Sequence, residues 1–191
     1  MWEYVNVKMT GHIKIVEKET GKILLDQMNA IHPENMALSL TQSLGNKVTQ
    51  GPIKSMVFGN GAAYVNGIGS ITYLSKNITG SNSQLYSQTY FKVVDNTSLD
   101  NIDPTNNQMN WTHVDGNLFS DLIITATLSP NEPVDQNVLN NSTNLTGKFI
   151  FNELGLLNYS GKLLTHAIFS PVEKASNVSL VITYTLRVSL V

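Results

Sequence analysis

The stretch FGNGAAYVNG, residues 58–67, has the glycine spacing that most resembles a phosphate-binding loop. A dinucleotide-binding loop needs Gly-x-Gly-x-x-Gly at the start of a helix, and a P-loop needs a glycine followed by Lys-Ser/Thr. Here Gly59 and Gly61 are followed by a further glycine only at Gly67, without Lys-Ser/Thr and without a helical period. The sequence therefore predicts a tight turn, in which Gly or Asn adopts a positive φ.

The histidines and the clustered aspartates form no recognisable metal-binding pattern. No two histidines have the spacing of a metal pair on one helix or strand; they are His12, His32, His113 and His166. His166 lies among apolar residues, which predicts a hydrogen-bonded histidine in the core or at an interface. The acids at 95, 100 and 103 share one polar segment without the offsets of an EF-hand, so only a loose calcium or sodium site stays open there.

A glycan hydrolase on a β scaffold would need two convergent carboxylates at a fixed separation. Asp121 and Glu153 are the acids that fall inside predicted strands. Glu153, between Asn152 and Leu154, is expected to make a structural hydrogen bond or salt bridge. No nucleophile elbow supports a Ser/His/Asp triad. The sequence thus predicts no catalytic, cofactor-binding or metal-binding residue, and a protein that is not an enzyme.

Composition restricts the partners of the chain. The 191 residues carry a net charge of −2 and scattered single Lys and Arg residues, so a nucleic-acid partner is not expected. No stretch approaches the ~18 apolar residues of a membrane span. The N-terminal segment alternates instead of forming the apolar region of a signal peptide, which predicts synthesis in the cytoplasm. Only 14% of residues are charged and none is cysteine, which fits an Asn/Thr-rich protein packed against neighbours or an extracellular β protein.

One helix is predicted, over residues 33–44. Pro33 suits a first helical position. Met36, Leu40 and Leu44 recur at the spacing of an apolar helix face. Gly45 is placed to end the helix as a left-handed cap.

The remaining pattern is mainly β. A hairpin is predicted at the start, with a turn at residues 19–21, and two apolar strands near the end are joined by residues 159–161. The segment 178–190 alternates throughout and is expected to pair within the fold or with a neighbouring subunit. About eight to ten strands with one helix favour an antiparallel β-sandwich or jelly-roll-like fold. We expect one β-rich domain over residues 1–191, with long polar loops near 95–110 and 130–146.

Several of these stretches resemble small structural proteins of tailed bacteriophages. The resemblance lies in GKILLDQMNAIHPENMALSLTQSL (21–44), in FGNGA (58–62) and in FNELGLLNYSGKLLTHAIFSPVEKASNVSLVITYTLRVSL (151–190). Similar strand-and-turn patterns recur in tail, collar and fibre-attachment proteins. The resemblance implies a non-enzymatic virion component, an oligomeric building block of the tail, of the neck and collar, or of the particle surface as a capsid decoration protein. It brings no catalytic residue with it.

The expected partners are other copies of this chain and other virion proteins. Large aromatic residues are good interface anchors, so Trp2 and Tyr4 are candidates for a docking arm, with packing on their own domain as the alternative. A carbohydrate- or receptor-binding module, with a host surface glycan as partner, is the alternative function. It would need an exposed aromatic platform, for which Tyr86, Tyr90 and Trp111 are candidates. Arg187 completes the set of candidate interface residues.

Overall fold

The computed structural model describes residues 5–133 and 150–191, in which strands predominate. The elements in chain order are β1 (Val7–Glu17), β2 (Ile23–Met28), β3 (Ala30–Ile31), α1 (Pro33–Leu44), β4 (Ile53–Gly59), β5 (Ala63–Val65), β6 (Ile71–Tyr73), β7 (Gln88–Val93), β8 (Gln108–His113), β9 (Phe119–Leu128), β10 (Ile150–Asn158), β11 (Leu163–Glu173) and β12 (Leu180–Leu190). The predicted Trp2 and Tyr4 and most of the predicted 130–146 loop lie outside the described residues.

Two five-stranded antiparallel sheets form the body of the fold. Sheet A has the order β2-β1-β12-β9-β8, sheet B has the order β3-β11-β10-β4-β7, and β5 pairs with β6 in a separate hairpin. The predicted antiparallel β-sandwich with one inserted helix is confirmed. The described residues contain 12 strands, more than the eight to ten expected, because β3 and β5 have only two or three residues each and leave no alternating pattern.

The core lies between the two sheets. On β12 the side chains of Leu180, Ile182, Tyr184 and Leu186 are buried, in the alternation that the sequence predicted. They join Met56, Phe58 and Leu154 of sheet B in one apolar cluster. β12 pairs on one side with β1 and on the other with β9, so its expected partners lie within the fold.

The helix begins as predicted, with Pro33 in its first turn. His32 precedes it and caps it, because its Nδ1 accepts a hydrogen bond from the Asn35 backbone N–H at 3.2 Å. Met36 is buried, but Leu44 is 90% exposed, so only the first part of the apolar stripe packs on the core. Within the described ranges no helix has the length and apolar character that a bilayer crossing needs.

The predicted left-handed cap at Gly45 is wrong. Gly45 has φ −78° and ψ 9°, whereas the next residue, Asn46, has φ 57°. The chain leaves the helix one residue later than expected, and asparagine supplies the left-handed conformation because its short polar side chain tolerates it better than most.

The β4–β7 connection, residues 60–87, covers the outer face of sheet B. β4 and β7 are neighbours in sheet B, so the connection leaves and re-enters at the Gly59–Gln88 pair. Leu85 of this connection forms a second apolar cluster with Val57 and Leu163. Because both faces of sheet B are covered here, β10 is buried along almost its whole length, with apolar residues from Leu154 to Leu157.

The predicted polar loop near 95–110 ends earlier than expected, since residues 108–110 already belong to β8. The Nδ2 of Asn101 donates to the backbone oxygens of Asp95 and Asn107, at 3.1 and 2.7 Å. These bonds tie the two ends of the loop together, so side chains of the loop itself hold its shape.

We expect Asn46→Ala to destabilise the protein by about 1 kcal/mol, because alanine pays the steric cost of the left-handed conformation in full. Asn46→Gly should leave the free energy of unfolding unchanged or raise it. Urea denaturation of the three chains measures both changes. Equal stability of the alanine and glycine variants would contradict the assignment of the cap to Asn46.

Candidate functional site

A fully buried carboxylate, Glu153 on β10, is the most highly bonded side chain near the predicted glycine turn. Its Oε1 accepts the backbone N–H groups of Gly61 at 3.1 Å and Ser87 at 2.8 Å. Its Oε2 accepts the backbone N–H of Tyr86 at 2.9 Å. Glu153 therefore binds both ends of the β4–β7 connection and makes the structural hydrogen bonds that the sequence predicted.

His166 on β11 lies beside Glu153 and is also fully buried. The backbone N–H of Asn77 donates to its Nδ1 at 2.8 Å, which leaves the ring proton on Nε2. Nε2 then donates to Oε2 of Glu153, at 3.1 Å. The predicted hydrogen-bonded core histidine is thus confirmed, and it binds the middle of the same connection.

Asn152 extends this buried polar cluster to the neighbouring turn. Its Oδ1 accepts the N–H of Ala62 at 3.1 Å and its Nδ2 donates to the Asn60 oxygen at 3.2 Å, so the side-chain amide bonds like a strand backbone. Adjacent side chains on a strand normally point to opposite faces. Here the register of β10 against β11 shifts between Phe151 and Glu153, and such a bulge re-aims side chains. The shift explains why two consecutive residues reach the same turn.

The two glycines of the turn are needed for space and not for a special backbone angle. Neither Gly59 nor Gly61 is among the residues with positive φ, so that part of the prediction is wrong. A Cβ on Gly59 would lie 2.4 Å from the Ser87 oxygen and 2.5 Å from Oε1 of Glu153. A Cβ on Gly61 would lie 2.6 Å from the Cβ of Ser87. Only glycine lets the turn approach the carboxylate this closely.

This buried polar cluster is built to hold chain segments together. Glu153 and His166 have no exposed surface, so neither side chain can reach a substrate in this conformation. All the hydrogen bonds described to Glu153 come from N–H groups, which is what an acceptor-only carboxylate needs inside a protein. The groups that bind to the cluster are residues of the β4–β7 connection, so the cluster holds this connection on sheet B.

The two acids considered for glycan hydrolysis lie on different sheets. Asp121 is on β9 of sheet A and accepts two hydrogen bonds from the Arg187 guanidinium, each at 2.8 Å. This bonding lowers the pKa of Asp121 below its ordinary value. Glu153 is on sheet B, so the two carboxylates do not form the facing pair that hydrolysis requires.

The three aspartates of the 95–107 loop also do not converge on one point. Each bonds to a different partner: Asp95 to Thr97 and Tyr159, Asp100 to Lys54, and Asp103 to Asn106. Partial burial opposes ionisation of Asp95, but these hydrogen bonds outweigh it and hold its pKa below the ordinary value. Across residues 5–133 and 150–191 no group of three or more His, Cys, Asp or Glu side chains is placed to hold a metal ion.

The four candidate interface residues that the structure describes are dispersed over the fold. Trp111, on β8 of sheet A, is 77% exposed, whereas Tyr90 is buried in the core beside Phe58. Tyr86 is partly exposed, and its ring lies at a tilt of 47° to the ring of the buried His166 of sheet B, with 5.8 Å between the ring centres. Arg187 already pairs with Asp121 and lies 4.0 Å from the Phe119 ring. The structure therefore does not bring Tyr86, Tyr90 and Trp111 together as one platform.

The sequence analysis missed a different surface, which we call the apolar end. It comprises exposed aliphatic residues where β1 begins and β12 ends, together with the residue before β9: Val5, Val7, Leu118, Leu190 and Val191. Val7 pairs with Leu190, whose backbone N–H also donates to the Leu118 oxygen at 2.8 Å, so the side chains are neighbours across three strands. The signal was present: the apolar alternation of residues 178–190 continues past the point where the core ends.

We expect Glu153→Gln to destabilise the protein by about 3 kcal/mol, because the new amide would turn an N–H donor towards buried N–H groups. The matched control is Asp121→Asn, which alters a partly exposed pair and should cost under ~1 kcal/mol. Urea denaturation at neutral pH measures both. Losses of equal size would show that Glu153 is not a special buried anchor.

We expect Gly59→Ala to destabilise the fold by at least ~2 kcal/mol through its clash with the Ser87 oxygen. Gly67→Ala provides the control, since its Cβ would meet nothing within 4 Å. It should change the free energy of unfolding by less than ~0.5 kcal/mol. Thermal and urea unfolding of both variants would test this difference, and matching stabilities would refute the close approach.

No protein-family model matches this chain, and neither a curated protein nor a solved structure matches it. Support for a function therefore comes from the contacts of the chain itself. Those contacts are a closed polar anchor on sheet B and an open aliphatic surface at one end of sheet A.

Proposed function

We propose that this chain is a non-enzymatic structural protein of a tailed-phage virion, an oligomeric building block of the tail, the neck and collar, or the particle surface. The observation that carries the proposal is the apolar end of sheet A. Its proposed partners are other copies of the chain and neighbouring virion proteins. On the particle surface the chain would act as a capsid decoration protein.

The exposure of the apolar end favours a protein that is covered when assembled. Val7 is 58% exposed, Leu190 49% and Leu118 72%, although all three continue the inward-facing alternation of their strands. Soluble monomers rarely expose large contiguous apolar patches, and such patches mark protein contacts. Symmetric oligomers use such patches to bury the same surface on each copy.

The residues behind the phage resemblance support a structural role in a second way. The glycine turn at 59–61 and the Asn152–Glu153 pair come from two separate stretches of that resemblance, and they bond directly to each other. Their shared task is to fix the β4–β7 connection on sheet B. A contact of this kind serves the shape of the protein rather than a reaction.

The alternative function, a carbohydrate-binding module, has weaker support. Of its three proposed aromatic residues, Trp111 is well exposed, Tyr86 is partly exposed and tied to Ser75 through its hydroxyl, and Tyr90 is in the core. A glycan would therefore have to stack on Trp111 without the other two aromatic residues of the proposed platform. We therefore favour the oligomeric building block over the carbohydrate-binding module.

We expect the purified chain to form a closed oligomer, seen as a multiple of the protomer mass by light scattering and as a ring or compact trimer by negative-stain imaging. Leu190→Ser should weaken that association by tenfold or more, since burying one large aliphatic side chain is worth about 1.5–3 kcal/mol. Leu99→Ser is the matched control, because Leu99 is fully exposed in the 95–107 loop and away from the apolar end.

The outcome that contradicts the proposal is a chain that stays monomeric at every concentration tested and forms no particle. Binding of the monomer to a glycan array, lost in Trp111→Ala, would instead support the carbohydrate-binding module. An oligomer weakened equally by Leu190→Ser and Leu99→Ser would keep the building block but move its interface away from the apolar end.

A further inference from the structure

A groove between sheet A and the helix lies next to the apolar end, two residues further along the paired strands β1 and β12. The groove has a volume of about 240 Å³. Met9, Leu122 and Val188 of sheet A form one wall, and Met36 and Leu40 of α1 form the other. We call this the end groove. The end groove borders β12 at Leu186 and Val188. In this part of the strand the side chains change from buried, at Leu186, to half-exposed, at Leu190.

The end groove is suited to an apolar side chain of large size. A cavity of about 150 Å³ holds one benzene ring, so this groove has room for a bicyclic ring. Its methionines are flexible and polarisable and pack well against aromatic rings. The polar side chains on its helix wall are already bonded, Ser39 to the Gly51 oxygen and Ser43 to the Ser39 oxygen. An occupant therefore need not supply hydrogen bonds.

The chain itself carries such a side chain next to the groove. Residues 1–4, Met-Trp-Glu-Tyr, precede the described chain and join it at Val5, on the apolar end. Asn6 exchanges both backbone hydrogen bonds with Val191, at 2.7 and 2.9 Å. Strand pairing thus persists to Asn6, three residues before Met9 of the groove wall, so the chain runs from Asn6 along β1 towards the groove.

We propose that the end groove of one copy binds the Trp2 side chain of a second copy of this chain. The inference rests on the proposed oligomeric function and names the contact that builds the oligomer. For Trp2 to reach the groove of its own copy, the chain would have to reverse its direction. A β-turn takes four residues, so residues 2–5 would all belong to the turn. A second copy facing the apolar end requires no turn.

The first test compares self-association of the full chain and its variants by sedimentation. Trp2→Ala and Leu40→Gln should each raise the dissociation constant about 30-fold or more, as the loss of a central aromatic anchor does. Leu44→Gln is the control on the same helix, since Leu44 is 90% exposed and does not line the end groove. The dissociation constant of this variant should stay within about threefold of the wild-type value, which is the usual range for a neutral surface substitution. Urea midpoints of all variants check that each folds.

The second test decides whether the contact lies between copies. Trp2→Ala keeps an intact groove and Leu40→Gln keeps an intact Trp2, so mixing the two chains should restore association in part. In the wild-type chain labelled with 5-fluorotryptophan, the ¹⁹F resonance assigned to Trp2 by the Trp2→Ala variant should shift on dilution through the dissociation constant. In Leu40→Gln, the Trp2 resonance should keep, at every concentration, the chemical shift that the wild-type resonance has after dilution.

The outcomes separate this inference from the function on which it rests. An oligomeric wild type whose association is unchanged by Trp2→Ala overturns the inference and leaves the building block standing. A Trp2 resonance that is independent of concentration, with no rescue on mixing, also overturns it, because the side chain then packs within its own copy. A wild type that never associates overturns both.

Discussion

The hydrogen bonding of one buried carboxylate constrains the rest of this fold. Glu153 has no exposed surface, and an ionisable group inside a protein is costly unless every bonding position is used. The donors that satisfy it are backbone N–H groups of Gly61, Tyr86 and Ser87 and the ring of His166. Those groups are available only if the β4–β7 connection crosses sheet B in one particular path, so the carboxylate selects that path.

This anchor and the apolar end divide the molecule between two tasks. On sheet B the outer face is closed by the β4–β7 connection, with Leu85 packed on Val57 and Leu163. On sheet A the inward-facing alternation continues beyond its cover and ends in exposed aliphatic residues. Sheet B is thus covered by the chain itself, whereas sheet A leaves aliphatic side chains exposed where β1 begins and β12 ends.

The parts of the fold predicted from sequence are those with a local signal. The start of α1 followed from Pro33, β12 from strict alternation, and the structural role of Glu153 from an acid placed inside a predicted strand. The donors to Glu153 could not be predicted, because backbone N–H groups have no sequence signature and Gly61 lies 92 residues away. The glycine turn was misread in detail because glycine serves equally for positive φ and for close approach. Tyr90 was placed on the surface since an aromatic residue in a strand does not reveal which face is inward.

The central position of β12 in sheet A has a consequence for how the chain folds. β1 pairs with β2, and β8 pairs with β9, through connections close in sequence, whereas β12 joins these two hairpins across most of the chain. Contacts of such long sequence separation form slowly, since the chain entropy of closing the loop is lost first. During synthesis, then, β1 and β9 each present an open strand edge until residues 180–190 leave the ribosome. We expect this interval to be the one in which the chain depends most on chaperones and is most prone to misassembly.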